Sequence, residues 1–336
     1  MISDRLKSSL KTEFRQSFLA KVGLAIAILI ILMALFAPVL ATHNPHTTGH
    51  FDEEGNSYPP WGTTDTSHTW DDSDGERDRI SYTVEPSGDH YLGTNQIGQD
   101  TFSRALFGAR ISLLVGLIGT GLAAAFGVPF GLVSGYYGGR IDDSMMRIAD
   151  MMLAFPSLVF AVALIGVFGQ SVQRIPDPIV RAGFADGMPT SIALPGTVTI
   201  VVALVTWVWF ARVARGEALS LRNEEYVKAA KSMGASNRTI LLRHILPNSL
   251  TPVIVLATIQ VAAIILLESS LSYLGFSGTT LSWGYEIQQG QDHLATSWWI
   301  ATIPGIGILL AVVSINLLGD WLRDALDPNI SGEGGA

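Results

Sequence analysis

The sequence predicts an all-α integral membrane protein with six transmembrane helices and both termini in the cytoplasm. Three observations lead there. Of the 336 residues, 48% are hydrophobic and only 15% charged, too apolar a balance for an ordinary soluble protein. The apolar residues fall into runs near 22–42, 111–134, 148–170, 191–213, 249–271 and 298–319, each close to the roughly 18 to 25 residues that a helix needs to cross a bilayer. Lysine and arginine divide unevenly over the flanks of these runs, fifteen on one side and six on the other. By the positive-inside rule that asymmetry places the two termini and the 213–248 loop inside.

Segment 1–21 holds Arg5, Lys7, Lys11, Arg15 and Lys21 and is a cytoplasmic N-terminal segment. The first transmembrane helix follows at 22–42. Val39-Leu40-Ala41 resembles a small-residue cleavage site, but the run is too long for the apolar stretch of a signal peptide and the preceding 21 residues exceed a usual leader. An uncleaved anchor fits better.

Residues 43–105 are a different material, an external acidic loop and an interfacial helix. Between 43 and 100 stand twelve Asp or Glu against Arg77 and Arg79, with many Gly, Pro, Ser and Thr and no apolar periodicity, the pattern of a hydrophilic, partly irregular segment. His43, His46, His50, His68 and His90 lie in it, yet no pair has the spacing of a compact ligand motif. Solvated loop histidines and no metal site are expected. The stretch Leu92–Arg110 then turns helical with Phe102, Leu106 and Phe107 on one side. It is expected to lie along the outer interface, anchored by its arginines.

Residues 106–325 hold the other five helices, and 326–336 form a cytoplasmic tail. The second span is rich in glycine, with Gly-x-x-x-Gly spacing at Gly127 and Gly131 that permits close helix approach. Pro129, Pro156, Pro195, Pro252 and Pro304 lie within or beside spans, where they mark bends. Glu268 is the clearest ionisable residue inside a span; bonding to a neighbouring helix and contact with a substrate are both open to it. Asp150, near a span end, is expected to reach water.

The most informative segment is Glu225–Asn248, between the fourth and fifth spans. Tyr226, Ala230 and Met233 recur at helical spacing and Glu224 precedes Lys228 by four residues, which predicts a short amphipathic helix. Gly234 sits where that helix stops, and Ser236 or Asn237 can cap the next turn. A second helix carries Ile240, Leu241 and Ile245 on one face and Arg238 and Arg243 for charge, and Pro247 is expected to end it. Two capped helices around a glycine are more than a connector needs; they suit a docking surface for a soluble partner.

The chain has no cysteine, so disulfides, thiolate metal sites and cysteine nucleophiles are excluded. It has no Gly-x-x-x-x-Gly-Lys-Ser/Thr loop, so nucleotide hydrolysis would have to come from another polypeptide. Its acidic loop, its net charge of −8 and its five lysines against sixteen arginines would suit a high-salt habitat.

The 225–248 segment resembles the EAA loop of ABC-importer permeases, whose pattern runs Glu-Ala-Ala, three residues, Gly, nine residues, Ile, one residue, Leu-Pro. Here Lys228-Ala229-Ala230, Gly234, His244 and Leu246-Pro247 occupy those places; Lys228 stands for the glutamate and His244 for the isoleucine. More narrowly, Glu225-Tyr226-Val227, Arg243–Asn248, Leu92–Asp100, Gly108–Ser112, Glu268–Gly275 and Leu318–Pro328 look like the C-type permease of the dipeptide, oligopeptide and nickel importers. The acidic stretch near 50–90 and an insert near 172–190 are longer than that pattern requires.

The resemblance implies a type I ABC-importer (MetI-like) permease fold. It implies a homologous second permease subunit forming a heterodimer, two cytoplasmic ABC ATPase subunits, an extracellular solute-binding protein and surrounding membrane lipid, with no nucleic acid. It assigns ATPase coupling to Glu225, Tyr226, Lys228, Ala229, Ala230, Met233, Gly234, Ala235, Arg243, His244, Leu246 and Pro247, and no catalytic residue. This chain is expected to bind no cofactor itself, ATP and magnesium acting on the partner subunits. Di- or oligopeptides are the expected substrate, with nickel complexes, some sugars and other small solutes left open as alternatives. A secondary transporter would want several buried acids, and a membrane enzyme a cluster of His, Asp or Glu at membrane depth; the sequence offers neither.

Overall fold

In the computed structural model the described residues are 13–50, 58–60, 65–71, 78–84 and 88–326. Most of segment 1–21, the tail beyond 326 and parts of the acidic loop, with their expected charges, lie outside them. Ser17 caps the first helix by accepting a hydrogen bond from Ala20 N at 3.1 Å. That helix, α1 (Phe18–Leu35), is followed by the short α2 (Ala37–Leu40). The span thus begins earlier than the apolar run suggests and is interrupted at Phe36, ahead of Pro38.

The acidic loop contains an antiparallel pair, β1 (Asp65–Asp71) and β2 (Asp78–Val84), in register from Asp65↔Val84 to Asp71↔Asp78. The pair is the regular part of a segment expected to be only partly irregular. The polar, turn-forming composition around it hid the short alternation of Ile80, Tyr82 and Val84 along β2.

Helix α3 (Thr101–Tyr137) is 37 residues long. Where a separate interfacial helix was expected, residues 101–110 are the first turns of the same helix that holds the second apolar run. Asp100 starts the helix by accepting from Ser103 N at 2.8 Å. The arginines are buried instead of anchoring at an interface. Arg104 donates to Glu286 Oε1 at 2.8 Å and to Pro45 O at 2.8 Å, and Arg110 pairs with Asp177. These partners are 182 and 67 residues away in the chain, out of reach of any local pattern.

The third run also departs from a single straight span. Helices α4 (Gly139–Leu153) and α5 (Ser157–Phe168) meet at 90°. Pro156 is the cause, because the residue before proline is pushed out of helical geometry. At 12 residues, α5 rises about 18 Å and cannot cross a bilayer alone. Among the described residues five helices are long and apolar enough to cross, or six if this bent pair counts as one. Asp150 is 60% exposed and pairs with Arg212.

The 172–190 insert contributes β3 (Val172–Pro176) and the short α6 (Pro178–Arg181), and the chain returns in β4 (Ser191–Pro195), antiparallel to β3. Residues 191–195 were expected to open the fourth span; Ile192, Ala193 and Leu194 prolong its apolar run but belong to the strand. The span itself is α7 (Gly196–Leu221). Beyond it come α8 (Glu225–Ser232), α9 (Asn237–Ile240), a π-helical turn (Leu241–Ile245), α10 (Leu246–Tyr273), α11 (Trp283–Gly290) and α12 (Trp299–Leu326).

The central packing is α3 against α7. A Cβ on Gly127 would stand 2.3 Å from Trp207 O, on Gly131 2.0 Å from Ala211 O, and on Gly135 2.5 Å from Arg215 O. Three glycines four apart face three carbonyls four apart, so the backbones touch along two turns. Gly135 extends the expected Gly127–Gly131 pair. At its far end the same contact is tied by Arg215, which donates to both Asp142 oxygens at 2.6 and 2.7 Å. Outward-facing Leu117, Phe126, Ile200, Ile254 and Leu309 stay exposed, as side chains meeting lipid would.

Candidate coupling site

The loop after α7 is built on a buried footing. Val227 and Ala230 of α8, Ile240 of α9 and Ile245 of the π turn are at most 4% exposed, and Val227, Ile240 and Ile245 join one apolar cluster with Ala214 and Ala218 of α7. With these four inward, the remaining faces of the two helices point to solvent. Tyr226, Met233 and Leu242 are 41%, 82% and 51% exposed. Glu225, Lys228, Ala229, Arg243 and Pro247 are also exposed; His244 and Leu246 are half-buried. The expected stripe of Tyr226, Ala230 and Met233 is split, because Ala230 turns inward with Val227. Helix α8 has only 8 residues, so Met233 lies beyond its last full turn and the seven-residue spacing does not apply.

Gly234 ends α8 as its position suggests. Its φ of 86° is left-handed; its N–H donates to Lys231 O at 3.0 Å and that of Ala235 to Ala230 O at 3.0 Å. These two bonds form a Schellman closure. Nothing stands within 4 Å of a Cβ added to Gly234, so a side chain there would be resisted by backbone strain alone and would project into solvent. Ser236 caps the next helix by accepting from Thr239 N at 3.2 Å. Tyr136 of α3 reaches it through Asn237 Oδ1 at 2.8 Å.

Pro247 does not end the second helix. The chain runs from Asn237 to Tyr273 as one span-length helix, with a π turn where the proline ring would crowd the Arg243 carbonyl four residues back. Proline then occupies the first turn of α10, where its missing N–H costs nothing. The loop is therefore continuous with a span, a rigid link from the exposed face into the bundle. His244 lies 6.4 Å ring to ring from Tyr226, and Asn248 Nδ2 donates to Tyr226 Oη at 3.3 Å.

Glu268 is placed elsewhere, about 33 Å of helix rise beyond Leu246. It is fully buried and accepts from Ser272 Oγ at 2.6 Å and from Ser112 Oγ of α3 at 2.9 Å. Two of the sequence motifs, Gly108–Ser112 and Glu268–Gly275, thus meet in one hydrogen bond between helices. Sequence reasoning missed Glu286, which neutralises Arg104; a charged residue in a short segment between apolar runs was its only signal. On the side of α3's N-terminus, His46, Arg110, Arg174 and Thr279 help line a cavity of about 460 Å³.

A bundle of helices long and apolar enough to cross a membrane, with an exposed helix–glycine–helix projection, defines the class: a multi-pass membrane protein. Residues 127–332 match the family model described as binding-protein-dependent transport system inner membrane component, and residues 11–60 match the N-terminal TM domain of oligopeptide transport permease C. The chain is 34% identical over 320 residues to the dipeptide transport system permease protein DppC of Alkalihalophilus pseudofirmus, covering 95% of this chain and 88% of that one. It is 34% identical over 320 residues to the oligopeptide transport system permease protein OppC of Bacillus subtilis, at the same coverages. To the glutathione transport system permease protein GsiD of Escherichia coli it is 32% identical over 322 residues, 95% and 89% covered. The inward-facing MetNI methionine ABC transporter contains a chain with the same fold, TM-score 0.51 at 15% identity, over 67% of this chain and 97% of that one. This chain belongs to the family of binding-protein-dependent transport system inner membrane components and is a permease subunit of an ABC importer.

Proposed function

We propose that this permease carries di- or oligopeptides and is driven through residues 225–248. It pairs with a homologous permease to enclose the pathway, an extracellular solute-binding protein delivers the peptide, and two ATPase subunits dock from the cytoplasm, where both termini also lie. ATP and magnesium act on those ATPases; this chain binds neither. The single observation that carries the reading is the exposed face of Tyr226, Lys228, Met233 and Arg243 on a footing of Val227, Ala230, Ile240 and Ile245. A partner gripping that face holds a lever continuous with α10, so closure of an ATPase dimer becomes a rigid-body movement of the bundle. ATP acts through it only because the contacts differ between the open and closed states. The names of the relatives support a peptide, and glutathione, carried by one of them, is itself a small peptide.

The test is reconstitution with both ATPases, the second permease and the binding protein. Deleting 228–240, or replacing Gly234 with valine, is expected to abolish uptake while ATP hydrolysis continues without substrate control. Normal ATP-driven uptake in either variant would sink the assignment. The ligand that co-purifies with the binding protein decides between a peptide and a nickel complex or other small solute.

A further inference from the structure

Around the start of α3 the fold gathers imidazoles that the sequence scatters. His43 follows α2, His50 lies seven residues on, His90 precedes the turn at Gly93, and Asp100 caps α3. His90 and Asp100 are 3% and 0% exposed, so His90 is not the solvated loop histidine expected, whereas His46 is exposed and His43 and His50 are half-buried. His90 Nδ1 is 2.9 Å from Asp100 Oδ1, and His43 Nδ1 is 4.0 Å from the same oxygen. One ligand atom from each of His43, His90 and Asp100 lies within 4.8 Å of the other two. The His43 and His50 rings stand 4.4 and 4.8 Å from that of His90, and 5.2 Å from each other. The Nε2 of His50 is buried without a hydrogen-bond partner.

We infer that His43, His90 and Asp100, with His50 as the neighbouring fourth donor, form a site for one divalent transition-metal ion of the Zn²⁺ or Ni²⁺ kind. Imidazole and carboxylate suit such ions, whereas calcium and magnesium prefer oxygen alone. A tetrahedral zinc with bonds of about 2.05 Å needs ligand atoms roughly 3.3 Å apart, so small side-chain rotations would open the 2.9 Å His90–Asp100 pair and close the 4.0 Å His43–Asp100 pair. Hydrogen bonds satisfy part of the cluster, His90 Nδ1 meeting Asp100 Oδ1 at 2.9 Å and His43 Nδ1 lying 3.1 Å from Thr42 Oγ1, but they leave His50 Nε2 without a partner. Asp100 Oδ2 already accepts from Ser103 N and Thr42 Oγ1, and ring nitrogens gathered this closely can each direct a lone pair at one cation. An unpaired buried nitrogen among them is the group that ordinary folding would have satisfied.

The frame around the cluster is set before any ion arrives. His50 N donates to Gly98 O at 3.1 Å, Gly49 N to Ile97 O at 3.0 Å, and Tyr58 stacks on His90 with ring centres 5.8 Å apart. Gly98, at φ 69°, leaves no room for a Cβ, which would lie 2.5 Å from His50 N. The ion joins the 43–50 and 88–100 segments and fastens both to α3.

The test uses the full chain in nanodiscs, stripped with chelator and titrated separately with Zn²⁺ and Ni²⁺ by calorimetry, and with Co²⁺ followed by its visible absorption. The wild type is expected to take up one ion per chain, show the Co²⁺ bands of nitrogen ligation, and unfold at a higher temperature with the ion bound. His90→Gln and His43→Gln should each weaken binding by at least about 10-fold, while His46→Gln, outside the cluster, should leave it unchanged. His43 is partly exposed, so its variant decides the matter if His90→Gln does not fold. No saturable uptake by the wild type, or equal uptake by wild type and His43→Gln, overturns the site.

Discussion

Glu268 shows how a single side chain joins two helices. It was the one acid the sequence placed within a span, and the fold surrounds it with Ser112, Ser269 and Ser272. Truncation to alanine strands those hydroxyls in the interior, at about 1–3 kcal/mol. Glu268→Ala is therefore expected to unfold at lower temperature in detergent than Glu268→Gln, which retains an acceptor for Ser112. Equal loss in both variants would point to a need for the charge itself and hence to a role in the pathway. At the same scale, the acidity of Glu286 and the basicity of Arg104 were legible, but their pairing was not: it depends on α11 folding back over α3.

At the scale of elements, the contact of α3 with α7 is decided by three glycines. With a Cβ at Gly131 only 2.0 Å from the Ala211 carbonyl, any side chain must push the helices apart, and overpacking costs about 1–3 kcal/mol or more. Gly131→Leu is expected to lower the yield of folded protein and its melting temperature sharply, whereas Gly121→Leu, with nothing within 4 Å, should be tolerated. Comparable behaviour of the two in a thermal-stability assay would remove the close-approach account. The spacing of Gly127 and Gly131 was visible in the sequence; which helix they met was not. The reverse held at Pro156, where an apolar run concealed a 90° bend. Length and hydropathy measure how apolar a stretch is and carry no information about its direction.

For the whole molecule, the charge asymmetry predicts a topology that labelling can read directly, since the chain has no cysteine of its own. Met233→Cys, at a position 82% exposed, and Ile97→Cys, 54% exposed, lie at opposite ends of α3. A membrane-impermeant maleimide should modify Ile97→Cys in intact cells and Met233→Cys only in inverted vesicles; the opposite pattern would reverse the orientation.

Composition and apolar run length by themselves determined a multi-pass membrane protein, and Gly234 and Leu246-Pro247 marked a capped loop that resembles the EAA loop of ABC-importer permeases. Each of those signals is local, set by transfer of side chains into lipid and by the backbone geometry of glycine and proline. Tertiary structure alone decided the direction in which Val227 and Ala230 face, the continuity of the loop with α10, the burial of Arg104 and Arg110, and the meeting of His43, His90 and Asp100. Those features arise from contacts between residues tens to hundreds of positions apart, and they exist only once the helices have packed.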